Sequence, residues 1–175
     1  MNLREHFDQG LTADGFAELL DEKQRDLHAL YQRRADISDE AVERFRSDGP
    51  ARALVITEPW CGDSLALFPV IVEYCERAGI PLRVARRDEH PDLMDQYLTN
   101  GGRAVPIAVF LNEQDEEQFH WGPRPLPAQE ILERHRQAMA AGTIERTEIY
   151  KQIRAFYARD NGRTIIEELV ERLNA

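Results

Sequence analysis

The sequence predicts an α/β fold, with a mixed four-stranded sheet in the middle of the chain and helices added at both ends. Two observations carry this. Between residues 51 and 141, four short β-rich runs alternate with stretches of helical period in the order β-α-β-α-β-β-α. Before and after that stretch, apolar residues recur only at helical spacing. Strands separated by helices imply parallel pairing, whereas two strands joined by a short polar turn imply a hairpin.

In chain order, residues 1–50 form a helical N-terminal extension. Phe16, Leu19, Leu20, Leu27, Leu30 and Tyr31 make one stripe, resumed by Ile37, Val42 and Phe45. Thr12 suits an N-cap, with Leu11 and Phe16 as the two sides of a hydrophobic staple. Asp48-Gly49-Pro50 stops the helical run. The central domain, residues 51–141, opens on Ala53-Leu54-Val55-Ile56, a continuous apolar run suited to a strand buried on both faces. Leu65, Phe68, Ile71, Val72 and Cys75 then mark a helix that ends at Gly79. Pro81 to Ala85 reads as a second strand, and Pro91 to Leu98 as a helix closed by Asn100-Gly101-Gly102. Ile107 to Leu111 and Glu117 to Trp121 are the arms of the hairpin, followed by a helix from Leu126 to about Ala141 with Pro127 in its first turn. The C-terminal extension, residues 142–175, returns to helices. Ile149, Ile153, Phe156 and Tyr157 form one stripe, Asp160-Asn161-Gly162 breaks it, and Thr164 with Glu167 has capping-box spacing before the last helix. The three zones are expected to pack as one unit.

Composition narrows the function. With 22 Lys and Arg against 32 Asp and Glu, the net charge is −10. That balance argues against nucleic-acid binding, which needs clustered positive charge, and against an anionic membrane surface. The longest apolar run, Leu65 to Val72, is far too short to span a bilayer. Residues 1–8 mix charges and carry no apolar signal core, so a cytoplasmic location is expected. Two cysteines cannot build a disulfide framework. Histidines and cysteines lack zinc-type spacing, so no metal is expected, and the absence of a Gly-rich phosphate loop gives no cofactor site.

The chemistry concentrates in Trp60-Cys61-Gly62-Asp63-Ser64, where the first strand gives way to its helix. A cysteine at a helix N-terminus meets unpaired backbone N–H groups and the positive end of the dipole, which favour the nucleophilic thiolate. Pro69 follows Cys61 by eight residues, Arg103-Ala104-Val105-Pro106-Ile107 places a proline 45 residues past it, and Gly122 lies sixteen residues further on.

These spacings resemble the thioredoxin family over residues 51–141. In that family a W-C-G-P-C motif follows a central strand, a helix-kinking proline stands eight residues on, and a cis-proline faces the active-site cysteine. The resemblance implies a thioredoxin-like three-layer α/β/α sandwich. Trp60-Cys61-Gly62-Asp63, Met94 to Gly101 and Trp121-Gly122-Pro123-Arg124 are together similar to a bacterial subgroup with helical extensions at both ends. The resemblance makes Cys61 the catalytic residue. It implies substrate contacts from Trp60, the Val105-Pro106 edge and the loop with Gly122 and Arg124, with Val105 before a cis bond offering its backbone edge to a substrate; Asp63 and Ser64, beside Cys61 in the motif, are expected to join them.

The departures are equally informative. Ser64 replaces the resolving cysteine, Val55 replaces the family's buried aspartate, and Asp63 replaces the proline inside the motif. A dithiol cycle is therefore disfavoured and a single-thiol cycle, released by an external thiol, is expected. Ser64 is placed to donate a hydrogen bond to the thiolate. Partners would be a disulfide-containing protein or a small-molecule thiol, and the helical flanks leave a homodimer open. Cys75 falls on an apolar helical stripe, some 21 Å along the axis from Cys61 at about 1.5 Å per residue, and reads as inert packing. Arg124 reads either as a solvated loop charge or as a cation near Cys61. The alternative function is a non-catalytic peptide- or protein-interaction module on the same scaffold, with Cys61 vestigial. A third reading, cluster binding, rests on the similarity of Cys61-Gly62-Asp63-Ser64 to the C-G-F-S motif of monothiol glutaredoxins; the Asp63 charge weighs against it.

Overall fold

A computed structural model describes residues 2–175; Met1, where the helical zone was expected to begin, lies outside them. The elements in order are α1 (Leu3–Gln9), α2 (Ala13–Ala17), α3 (Glu22–Arg34), α4 (Asp39–Asp48), β1 (Arg52–Thr57), α5 (Gly62–Ala78), β2 (Leu82–Arg86), α6 (Pro91–Met94), β3 (Ile107–Leu111), β4 (Glu117–Trp121), α7 (Leu126–Arg134), α8 (Arg136–Ala140), α9 (Arg146–Asp160) and α10 (Arg163–Leu173). The sheet runs β2-β1-β3-β4, with β1 parallel to β2 and antiparallel to β3, and β3 antiparallel to β4.

Alternation along the strands sends side chains into two cores, one on each face. Ala53 and Val55 of β1, with Phe110 and Trp121, pack against α5 and the helices of both extensions. Leu54 and Ile56, with Ile107 and Val109, pack against Phe7 of α1 and Leu93 and Met94 of α6. The continuous apolar run of β1 thus reflects burial on both sides. The N-terminal extension also completes the sheet: Leu11 and Val84 exchange backbone hydrogen bonds of 2.9 and 2.8 Å, covering the edge of β2 that would otherwise stay unpaired.

Several local expectations change. The first helical stripe is broken into separate helices by caps, with Asp21 and Gln24 forming a capping box at the start of α3 and Ser38 accepting from Ala41 N–H at the start of α4. The helix expected over residues 91–98 ends at Met94. Thr99 and Gly102 pair through two backbone hydrogen bonds, with Asn100 (φ 50°) and Gly101 (φ 77°) at the tip of the turn. The helix expected over residues 126–141 divides at His135, whose ψ of 2° leaves the helical range. Thr164 makes no capping box. Its N–H and hydroxyl both turn back to Asp160, and the chain enters α10 through Gly162 in the left-handed region.

Candidate active site

Strand β1 delivers Cys61 to the N-cap position of α5, with Cys61 N–H donating to Glu58 O at 3.2 Å and Cys61 O accepting from Leu65 N–H at 3.1 Å. The Cys61 side chain makes no cap hydrogen bond, so the first-turn amides of α5 face outward with no side-chain acceptor. Its thiol is half-buried and instead donates to Val105 O at 3.4 Å. The Val105–Pro106 peptide bond is cis. Sulfur, helix end and the backbone before Pro106 therefore meet at one place.

Gly122 is required there by close packing: a Cβ on it would lie 2.2 Å from Pro106 O, and its φ of 128° suits glycine alone. It is followed by a second cis bond, Gly122–Pro123. Neither Gly122 nor Pro106 lines the cleft at Cys61; both hold the neighbouring backbone in place.

Trp60 stands at the rim, 55% exposed. It is fixed rather than loose. Its indole N–H donates to Asp88 at 3.1 Å and the Arg87 guanidinium lies 4.4 Å above its ring. Asp88 is held in turn by its backbone N–H, which donates to the fully buried Glu58 carboxylate at 2.9 Å, and Glu58 pairs with Arg86 at 3.1 Å. Glu58 gives no sequence signal, since a single acid in a strand-to-helix loop reads as solvated.

Two expected substrate contacts, Asp63 and Arg124, line the cleft at Cys61 and are also bonded to each other. Asp63 is buried, accepts from the Tyr157 hydroxyl at 2.8 Å and pairs with Arg124 at 2.6 Å. Arg124 is accordingly no solvated loop charge: its side chain is only 10% exposed. Burial works against the Arg124 cation, but the adjoining Asp63 carboxylate outweighs this and holds its pKa above the ordinary value. Burial, reinforced by Asp63, pushes the Tyr157 phenol well above its ordinary pKa, so its proton stays available for that bond. Through these contacts the motif position after Gly62 ties α5 to α9. The Asp63 charge that a thiolate would face is thereby compensated. Ser64 is also buried, and its hydroxyl has no hydrogen-bond partner, so the expected bond to Cys61 is not made.

Cys61 opens into a cleft of about 450 Å³, walled by Trp60 and Val105 on one side and by Arg146, Tyr150 and Arg154 of α9 on the other. Sequence reasoning missed the α9 residues, because only the tertiary fold brings positions this distant to the motif. Cys75 is fully buried, and burial, with Glu76 nearby, pushes its thiol up to about 12. Among the described residues no group of His, Cys, Asp and Glu is placed to hold a metal ion. No helix among them is long and apolar enough to cross a membrane.

Two solved structures share the architecture. A protein of unknown function from Pseudomonas aeruginosa is 20% identical with a TM-score of 0.75, and an HIV epitope-scaffold protein is 17% identical with a TM-score of 0.72. Each alignment covers 99% of this chain and 98% of the other, so both helical extensions belong to the shared fold. Among curated proteins, none matches the sequence. A thioredoxin family model matches residues 10–140. With the mixed sheet and the strand-to-helix placement of Cys61, that match shows that the chain belongs to the thioredoxin family, whose general chemistry is thiol–disulfide redox exchange.

Proposed function

We propose that the protein carries out thiol–disulfide exchange through Cys61 alone. The observation that supports this best is the half-buried thiol at the N-cap of α5, 3.4 Å from Val105 O and open to a cleft. The Cys61 thiolate attacks one sulfur of a substrate disulfide. A new S–S bond joins Cys61 to that sulfur, and the other sulfur leaves as a thiolate with the bonding pair. A second thiolate, from a small molecule or another protein, then attacks the mixed disulfide and regenerates Cys61. Ser64 provides no resolving thiol, and Cys75 is buried about 21 Å along the helix. The resolving thiol, which takes over the substrate sulfur as Cys61 leaves with the bonding pair, must come from outside the chain. We also assign the protein to the bacterial subgroup with Trp60-Cys61-Gly62-Asp63 and helical extensions, working in a reducing, cytoplasmic setting that keeps both cysteines free.

The test is labelling by the uncharged disulfide 4,4′-dithiodipyridine, followed by intact mass. One pyridylthio group is expected on the native protein and none on Cys61→Ser. Absence of label on native protein rejects the reading. A second reading, a binding module without catalysis, draws on one observation: fully buried, apolar Val55 sits where the family carries its proton-accepting acid. It predicts that Cys61→Ser keeps both its partners and its cellular role.

A further inference from the structure

The cleft beside Cys61 has a charge opposite to that of the whole molecule. The chain carries −10, yet five arginines line this one cavity: Arg87, Arg103, Arg124, Arg146 and Arg154 surround Cys61 together with Tyr150. Three are already paired, Arg87 with Asp88, Arg103 with Asp95 and Arg124 with Asp63. Arg146 and Arg154 have no carboxylate within ion-pair distance among the described residues, which leaves two cationic groups uncompensated at the mouth.

Their spacing is informative. Arg146, Tyr150 and Arg154 recur every four residues and so share one face of α9, with the outer two about 12 Å apart along the axis at about 1.5 Å per residue. Guanidinium groups present planar donor forks that match carboxylates. A concave cleft lined by one sign of charge concentrates the opposite sign near the reacting group. A volume of about 450 Å³ suits a ligand of small-molecule size.

We infer that this cleft selects a small dianionic disulfide as the exchange partner of Cys61, with its two acid groups held by Arg146 and Arg154 and its sulfurs between them. The inference rests on the exchange chemistry proposed above and names the substrate class for it. The bonds change as in that step: the Cys61 sulfur joins one half of the disulfide, and the other half departs as an acid-bearing thiolate.

The test separates binding from reaction. The probe is 5,5′-dithiobis(2-nitrobenzoate), a disulfide with a carboxylate on each ring, set against uncharged 4,4′-dithiodipyridine. Each rate on Cys61 is divided by the rate on a small free thiol in the same buffer. The dianion should show a normalised advantage of about 10-fold or more. That advantage should collapse in the double variant Arg146→Gln/Arg154→Gln, return with Arg146→Lys/Arg154→Lys, and fade as salt is raised. Titration calorimetry on Cys61→Ser, where no reaction can occur, should show saturable binding of the dianion that the added Arg→Gln pair abolishes. No saturable binding to Cys61→Ser, or binding and rates indifferent to the two arginines, overturns the inference. A native protein that resists the uncharged disulfide instead rejects the exchange chemistry, and calorimetry still decides the anion site.

Discussion

The two helical extensions do different things to the same central sheet. The N-terminal one contributes apolar bulk and a sheet edge: Phe16 packs edge-on to Phe68 at 5.1 Å, Phe45 lies 4.2 Å from Tyr74, and Leu11 pairs with Val84. The C-terminal one contributes an apolar stripe as well, but also polar groups at the active site. Tyr157 reaches Asp63, and Arg146, Tyr150 and Arg154 wall the Cys61 cleft. Glu168 of α10 accepts from the Trp121 indole at 2.6 Å and from Leu126 N–H at 2.7 Å, securing the segment that carries Arg124. The difference teaches that the apolar contacts of the first extension can be disturbed at the cost of stability alone, whereas disturbing the polar contacts of the second alters the cleft.

The largest effect should come from breaking the buried link between α5 and α9. Asp63→Ala strips the partner from a nearly buried Arg124 and the acceptor from Tyr157. Loss of one member of a buried pair costs roughly 3–5 kcal/mol. Urea unfolding should show that loss, and limited proteolysis should cut the C-terminal extension first. Phe16→Ala in the other extension should cost about 3 kcal/mol by the cavity it leaves, while the rate of Cys61 labelling stays the same. A changed rate there would erase the distinction between the extensions. Tyr157→Phe is milder, removing one hydrogen bond to a charged acceptor for roughly 1.5–3 kcal/mol, and should loosen α9 without unfolding the sheet.

The smallest effect is a pH dependence on the N-terminal side. Burial lowers the pKa of His6 and of His28 from the ordinary 6.5, against Asp92 in the case of His6. The unfolded chain therefore takes up these protons first. Stability is complete above about pH 6.5 and declines as the pH falls from there toward the lowered folded-state values. Urea midpoints should drop between about pH 7 and pH 5, and His28→Leu should shrink that drop. An undiminished drop would assign the acid sensitivity to other groups.

Much of this was legible in the sequence because it is local. Ile107–Leu111 and Glu117–Trp121 form at the expected bounds, since a continuous apolar run, a polar turn and a run with alternate apolar residues suffice to define a hairpin. Thr12 caps α2 through Gly15 N–H as its side chain suggests. Cys61 meets the cis Val105–Pro106 bond because spacing along a shared scaffold carries that information. The partners of Asp63 were not legible. A carboxylate in a helix's first turn reads as favourable to the dipole, and nothing near it in sequence announces Tyr157, 94 residues away. Arg146 and Arg154 likewise read as the solvated face of an amphipathic helix until the fold sets that face against the cleft.

The most direct test of the single-thiol account is the lifetime of the mixed disulfide. Native protein loaded with one pyridylthio group on Cys61 should hold it undiminished by intact mass, and release it only when an external thiol such as 2-mercaptoethanol is added. Spontaneous loss of the group with formation of an internal Cys61–Cys75 disulfide would contradict the account.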